Sequence, residues 1–309
     1  MKWEKKGLIY EPIKSNWWSK LYGILPTPVF LEELNVLRIY FSTSCADRYG
    51  RITYIDLDPD NPGNVLNNPE KIILDIGFDG CFDDCGVNVS SVIKVGNKVF
   101  MYYAGYQRHV KTPYSIFSGL AVSDDYIHFE RVSNVPVLER TTRETSLRSA
   151  PTVLYENGLF KMWYVASQGW QKIEGEIHKG RLMPVYVLKY ASSADGINWE
   201  ASDEPVFPHQ DDEFGFGRPY IVKRNNIYQL WYSVRSKSKP YFIGYAESDD
   251  CKNWVRKDHD AGIGMSASGW DSNMICYPSI IDLKGNTYLF YNGNNNGESG
   301  FGYAKLIEE

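Results

Sequence analysis

The 309-residue chain is about twice the length of an average domain, which leaves room for two domains or for one large all-β or α/β-barrel domain. It is 43% hydrophobic and 23% charged with a formal net charge of −5, the profile of a soluble globular protein and not of a general nucleic-acid binder, and it gives no reason to expect an anionic membrane surface as partner. No apolar run approaches the ~18 residues of a membrane span, and residues 1–6 are charged where a secretory signal would be apolar.

The five cysteines are sparse and odd in number, with Cys81 and Cys85 the one close pair and no His-rich partner motif after them. They read as reduced thiols of a cytoplasmic protein; no metal site and no cofactor is expected. Nine Trp, 23 Tyr and 14 Phe bring the aromatic share to 15%, which suits strands, while 26 Gly and 15 Pro spread along the chain suit many tight turns.

In chain order, residues 3–12 read as a lone strand with no hairpin before it. Residues 27–41 then form a degenerate hairpin, and the same strand–turn–strand pattern returns over 88–103, 149–164, 217–232 and 276–291. A second repeat follows three of these hairpins. Ser123-x-Asp125, Ser193-x-Asp195 and Ser248-x-Asp250 each stand before an aromatic residue (Phe129, Trp199, Trp254), six positions after the serine. This reads as a strand ending at Ser, a turn in which Asp accepts backbone N–H groups, and an aromatic opening the next strand. The C-terminal residues 301–306 resemble a third strand with no fourth after it. Four antiparallel strands repeated five times predict an all-β chain: one five-bladed β-propeller over 1–309, with the N-terminal strand completing the last blade and removing an open edge.

The pattern resembles the five-bladed propellers of glycoside hydrolase families 32, 43 and 130 along the whole chain, carried by the Ser-x-Asp turns and the proline-containing inner strands. Residues 82–88, 269–278 and 292–297 are similar to a branch related to those hydrolases that is often encoded near bacterial surface-polysaccharide genes. The resemblance implies a site at the narrow axis, on the innermost strand of each blade, and a pair of carboxyl groups flanking the scissile bond. In those families an Asp commonly stands before the proline of blade one. Here the aligned pre-proline positions are Thr27, Val89, Ala150, Arg218 and Tyr277, and none is acidic.

Acids occur slightly upstream, where each loop enters the inner strand. Glu144, Asp212 and Asp271 each precede the aligned proline by seven residues, and Asp83 and Asp84 precede the second hairpin. Asp84, Glu144 and Asp271 are the candidate catalytic carboxyls; shelter by Phe82 would suit Asp84 to acid/base work. The alternative is that such acids satisfy backbone amides in turns. Arg218 is expected to point at the axis, joined by Arg148 and Arg235 in holding a phosphate or sugar carboxylate, or else to pair with Asp212 or Glu213 and brace a loop. Asn88, Gln107, Asn292 and Asn294 are candidates for hydroxyl contacts, and Trp170 and Tyr277 for stacking on a sugar ring. The expected ligand is a carbohydrate or sugar phosphate. Three readings remain open: glycosyl cleavage or transfer by acid/base catalysis, a phosphorylase-like reaction, and a non-catalytic glycan-binding or assembly protein.

Overall fold

A computed structural model describes residues 1–308, and these are almost entirely β-structure. The first strand is β1 (Lys2–Tyr10). A first unit follows with β2 (Leu21–Leu31), β3 (Val36–Ser44) and β4 (Gly50–Leu57). The second has β5 (Val87–Val95), β6 (Lys98–Arg108), β7 (Tyr114–Ser123) and the two-residue β8 (Glu130–Arg131). The third has β9 (Leu147–Glu156), β10 (Leu159–Ile173), β11 (Arg181–Ser193) and β12 (Glu200–Ala201). The fourth has β13 (Glu213–Arg224), β14 (Ile227–Ser236), β15 (Phe242–Ser248) and β16 (Val255–Arg256), and the fifth β17 (Cys276–Leu283), β18 (Asn286–Asn292) and β19 (Phe301–Glu308).

Strands pair antiparallel within each unit; the second and third are joined into one sheet by a short parallel contact of β7 with β9. The fifth unit is completed by β1, which pairs with β19 from Lys2↔Glu308 to Tyr10↔Phe301. The first unit has three strands where the repeat predicts four. The segment after β4 carries Pro59, Pro62 and Pro69, and it returns to the sheet only at isolated bridges such as Ile52↔Leu74.

The second strand of every unit carries two adjacent large aromatics: Tyr40–Phe41, Tyr102–Tyr103, Trp163–Tyr164, Trp231–Tyr232 and Phe290–Tyr291. All ten are fully buried. Adjacent residues on a strand point to opposite faces, so each sheet is covered on both sides. The clusters confirm it. Tyr40 packs with Met101, Leu120 with Met162, Trp163 with Leu230, Trp231 with Leu289, and Phe290 back with Ile39 of the first unit. Each unit therefore shares a core with the next, and the fifth shares one with the first.

The Ser-x-Asp turns behave as the sequence suggests. Asp125 accepts from the amides of Ile127 and His128, Asp195 from Ile197 and Asn198, and Asp250 from Lys252 and Asn253, all at 2.7–2.9 Å. Among the described residues no helix is long and apolar enough to cross a membrane.

Candidate functional site

The inner strands of all five units bulge at the same place, the second between Val89 and Ser91, and in the other four a proline follows the bulged residue. In those four the register shifts fall at Ile24/Thr27, Trp163/Val165 (opposite Ser149–Thr152), Gly217/Tyr220 and Cys276/Ser279. At each of them the residue before a proline takes a positive φ: Leu25 (60°), Ala150 (49°), Arg218 (39°) and Tyr277 (56°). A side chain at such a position costs about 1–3 kcal/mol of strain, and the extra residue reverses which face its neighbours present. All four line one narrow cavity of ≈ 130 Å³, together with Asn88, Ser149 and Tyr186. The equivalent position in the first unit is thus Leu25 before Pro26, and not Thr27 as the sequence alignment has it. Thr27 instead accepts a hydrogen bond from the Arg218 guanidinium at 2.7 Å.

This throat shares Ile24, Asn88, Tyr106, Tyr114, Arg235, Tyr241 and Tyr277 with a wider mouth of ≈ 810 Å³. Arg48, Arg108, Arg181 and Lys239 are exposed along the mouth. The β10–β11 hairpin is long, and its tip brings in Ile177, His178 and Met183 as well as Arg181. The walls are phenolic. Tyr114 and Tyr186 meet through their hydroxyls at 3.2 Å, and burial pushes the Tyr106 hydroxyl up to about 12 and those of Tyr186 and Tyr277 well above the usual phenol range. Arg235 is half-buried among them, 4.4 Å from the Tyr186 ring centroid, with Nε donating to the Tyr241 hydroxyl.

Among the described residues, no Asp or Glu lines either cavity. Among the described residues the cavity cations Arg48, Arg108, Arg181, Arg218, Arg235 and Lys239 have no ion-pair partner, although ion pairs are frequent elsewhere in the chain. Arg218 donates to the carbonyls of Tyr277 (3.1 Å) and Pro278 (2.9 Å) and to Thr27, so it bridges β13, β17 and β2. It does not pair with Asp212 or Glu213: Asp212 accepts from Ser236 and Ser238, and Glu213 binds Arg256 at 2.8 Å.

The structure brings Asn88, Arg218, Arg235 and Tyr277 together. It does not bring Asp84, Glu144 or Asp271 to the cavity. Asp84 is half-exposed and accepts from the Gly80 amide at 2.9 Å, while Phe82 stacks on Tyr103. The buried neighbour is Asp83, held by Tyr103 (3.0 Å) and Arg131 (2.8 Å). Glu144 is buried between Arg148 and Lys189, both at 2.6 Å, with the Tyr164 hydroxyl at 3.5 Å. Asp271 is buried against Lys5 (2.7 Å) and the Tyr291 hydroxyl (2.9 Å). A repeating staple emerges: a tyrosine on the second strand, an acid on the incoming loop, and a cation from another strand. The fourth unit departs from this: Tyr232 and Arg256 meet Asp258, which follows β16, while Glu213 at the start of β13 binds Arg256.

Other sequence candidates are engaged by the surrounding fold. Arg148 belongs to the Glu144 staple. Asn292 is fully buried, accepting from the Leu25 amide (2.9 Å) and donating to the carbonyls of Gly23 (2.6 Å) and Gly300 (2.8 Å). Asn294 ties Gly269 to Asn273. Trp170 donates to Ser146 and packs edge-on to Tyr114, just behind the wall, and neither it nor Gln107 lines the cavity.

The strand pattern and the cavity between the units are consistent with a propeller-like glycosidase fold. The chain matches a solved glycoside hydrolase with a TM-score of 0.75 over 99% of this chain and 92% of that one, at 19% identity. A thermostable family-43 glycoside hydrolase gives 0.68 over 93% and 90%, at 17% identity. The chain belongs to the family of the protein named Uncharacterized protein Rv1502 of Mycobacterium tuberculosis (strain ATCC 25618 / H37Rv), with which it is 34% identical over 307 residues, 99% of each chain. A shorter similarity, 30% over 131 residues, covers 40% of this chain and 43% of a β-1,2-mannobiose phosphorylase from Thermoanaerobacter sp. (strain X514). No family model matches the chain.

Proposed function

We propose that the chain is a carbohydrate-active five-bladed propeller, closed by β1, whose axial cavity takes an anionic carbohydrate, either a sugar acid or a sugar phosphate. The cyclic sharing of cores between five units supports the blade count. The observation that carries the ligand class is a throat and mouth lined, among the described residues, by six cations without an ion-pair partner and by no carboxylate. Tyrosine walls supply flat faces for a sugar ring, and the cations supply its counter-charge. Hydrolysis by two flanking carboxyls has no residues here to carry it, since Asp84, Glu144 and Asp271 are turned to amides or cations outside the cavity.

A second reading is phosphorolysis, in which phosphate takes the place of attacking water. The similarity to a mannobiose phosphorylase and the unpaired arginines favour it.

A thermal-shift screen against neutral sugars, sugar acids, sugar phosphates and inorganic phosphate tests the proposal, because a ligand that binds only the folded state raises the melting temperature. Stabilisation by anionic sugars, reversed in Arg235→Ala, is the expected result. Stabilisation by neutral sugars alone would overturn it. Release of a glycosyl phosphate from an oligosaccharide and phosphate would select the second reading.

A further inference from the structure

Resting on that reading, we infer that the mouth is built for a carbohydrate bearing negative charge at two separated positions, one held by Arg48 and Arg108 and the other by Arg181 and Lys239.

All four cations line the ≈ 810 Å³ mouth and are exposed, so an arriving ligand meets them directly. They come from four different units: Arg48 from the β3–β4 connection, Arg108 from the end of β6, Arg181 from the start of β11 and Lys239 from the β14–β15 connection. Local contacts gather them two by two. The Arg108 guanidinium lies 4.6 Å from the Tyr49 ring centroid, and its Nη2 donates to the carbonyl of Asp47, the residue before Arg48. This fixes Arg108 against the loop that carries Arg48. The tip of the β10–β11 hairpin is fixed in the same way against the fourth unit. His178 Nε2 donates to the Ser236 carbonyl at 2.9 Å, and the amides of Arg181 and Lys239 donate to the His178 carbonyl (3.0 Å) and the Ser236 hydroxyl (3.2 Å). One pair thus joins the first and second units, and the other the third and fourth.

Acids stand close by in sequence and are directed elsewhere. Asp47 offers Arg108 its carbonyl, Glu174 and Glu176 lie on the hairpin tip, and Asp212 accepts from Ser236 and Ser238. Among the described residues none of these four lines the mouth or pairs with one of its cations. Cations gathered without counter-charge on a concave surface raise the local potential and draw anions, although the whole chain carries a net charge of −5.

The arrangement sets the ligand. One carboxylate or one phosphate answers one pair and leaves the other unmatched. The mouth, at ≈ 810 Å³ against ≈ 130 Å³ for the throat, has room for a ligand that reaches both. The fifth unit contributes Asn273, Asn295 and Asn296 to the same wall, neutral amides suited to hydroxyls between the charges. A chain of sugar-acid units and a sugar phosphorylated at both ends share this chemistry.

Isothermal titration calorimetry of the full chain with trigalacturonate, galacturonate, maltotriose, glucose 1,6-bisphosphate and glucose 6-phosphate tests the inference. Trigalacturonate or the bisphosphate should bind at least about tenfold more tightly than its counterpart with one anionic group, and whichever gains more identifies the source of the charge. Arg48→Gln with Arg108→Gln, and Arg181→Gln with Lys239→Gln, should each weaken that ligand by about tenfold or more and remove its advantage over the counterpart. The four side chains are exposed, so both double variants should keep the parental melting temperature. Equal affinity for the ligands with one and with several anionic groups, or a loss confined to one double variant, would overturn the two-point seat and leave the anionic-ligand reading standing. Failure of both multiply charged probes to bind would also overturn the seat. Maltotriose binding as tightly as trigalacturonate would overturn both readings.

Discussion

Glu144 and Arg148, four residues apart where the third unit's inner strand begins, meet at 2.6 Å, and Lys189 closes on the same carboxylate from the opposite side. The pair pins the entering loop to its own sheet. Glu144→Gln should therefore cost stability, by about 3–5 kcal/mol, because it leaves two cations buried against one neutral amide. Urea unfolding measures the loss. Ligand affinity per folded molecule should be unchanged; a variant with normal stability and abolished turnover would restore Glu144 to a chemical role.

Arg235→Lys tests the wall shared by the two cavities. The guanidinium carbon lies 4.4 Å from the Tyr186 ring centroid and Nε donates to Tyr241, and an ammonium reproduces neither the planar group nor the fork. Affinity for an anionic sugar should fall by about tenfold with the melting temperature little changed. Equal affinity in the lysine variant would reduce Arg235 to a source of charge.

Glu156 sets an expected acid sensitivity. Hydrogen bonds from Lys161, Lys223 and Tyr228 hold its carboxyl down at about 2. A carboxyl lowered in the folded state contributes stability that is complete above its ordinary value near 4.5 and lost as pH falls through the interval down to about 2. Melting temperatures recorded from pH 5 to pH 2 should drop more steeply in the parent than in Glu156→Gln. Parallel curves would show that the cluster does not contribute.

Trp3→Ala should destabilise by about 3–5 kcal/mol, the range for emptying an aromatic core site. The indole donates to the Ala261 carbonyl at 2.8 Å and packs edge-on to Trp231 at 5.8 Å, so it joins β1 to the fourth unit. Denaturant midpoints of the two proteins give the difference, and a loss under about 1 kcal/mol would mean that β1 adds little to closure.

Hairpins and Ser-x-Asp turns were legible because each is local: a two-residue turn or an aspartate with its own amides leaves its signature within a few residues. Arg218 and Tyr277 were legible for a related reason, since repeat alignment puts both before an inner-strand proline; Asn88 stands one residue before its aligned position, and Arg235 at the end of the next strand. The acids were not. Glu144 at a loop entrance looks the same in sequence whether it faces the axis or Lys189, a residue 45 positions further on. The bulge explains the first unit. Pro26 and Pro28 offer the same motif twice, and only the register shift between Ile24 and Thr27 selects Leu25 for the cavity. Arg48, Arg108, Arg181 and Lys239 lie on strand ends and connections outside the repeat, so periodicity gives no hint of them. Their common mark is the absence of a nearby acid partner, visible only in three dimensions.

Pairing of β1 with β19 sets a schedule for biogenesis. Trp3 finds Leu306 only after some three hundred intervening residues have left the ribosome. Until then the fifth unit lacks one edge, and the core that Phe290 shares with Ile39 stays open. Contacts of such long range close late and slowly. Until β19 is complete, β1 therefore waits without its partner, a strand edge that a chaperone would shield through most of the synthesis of this unit.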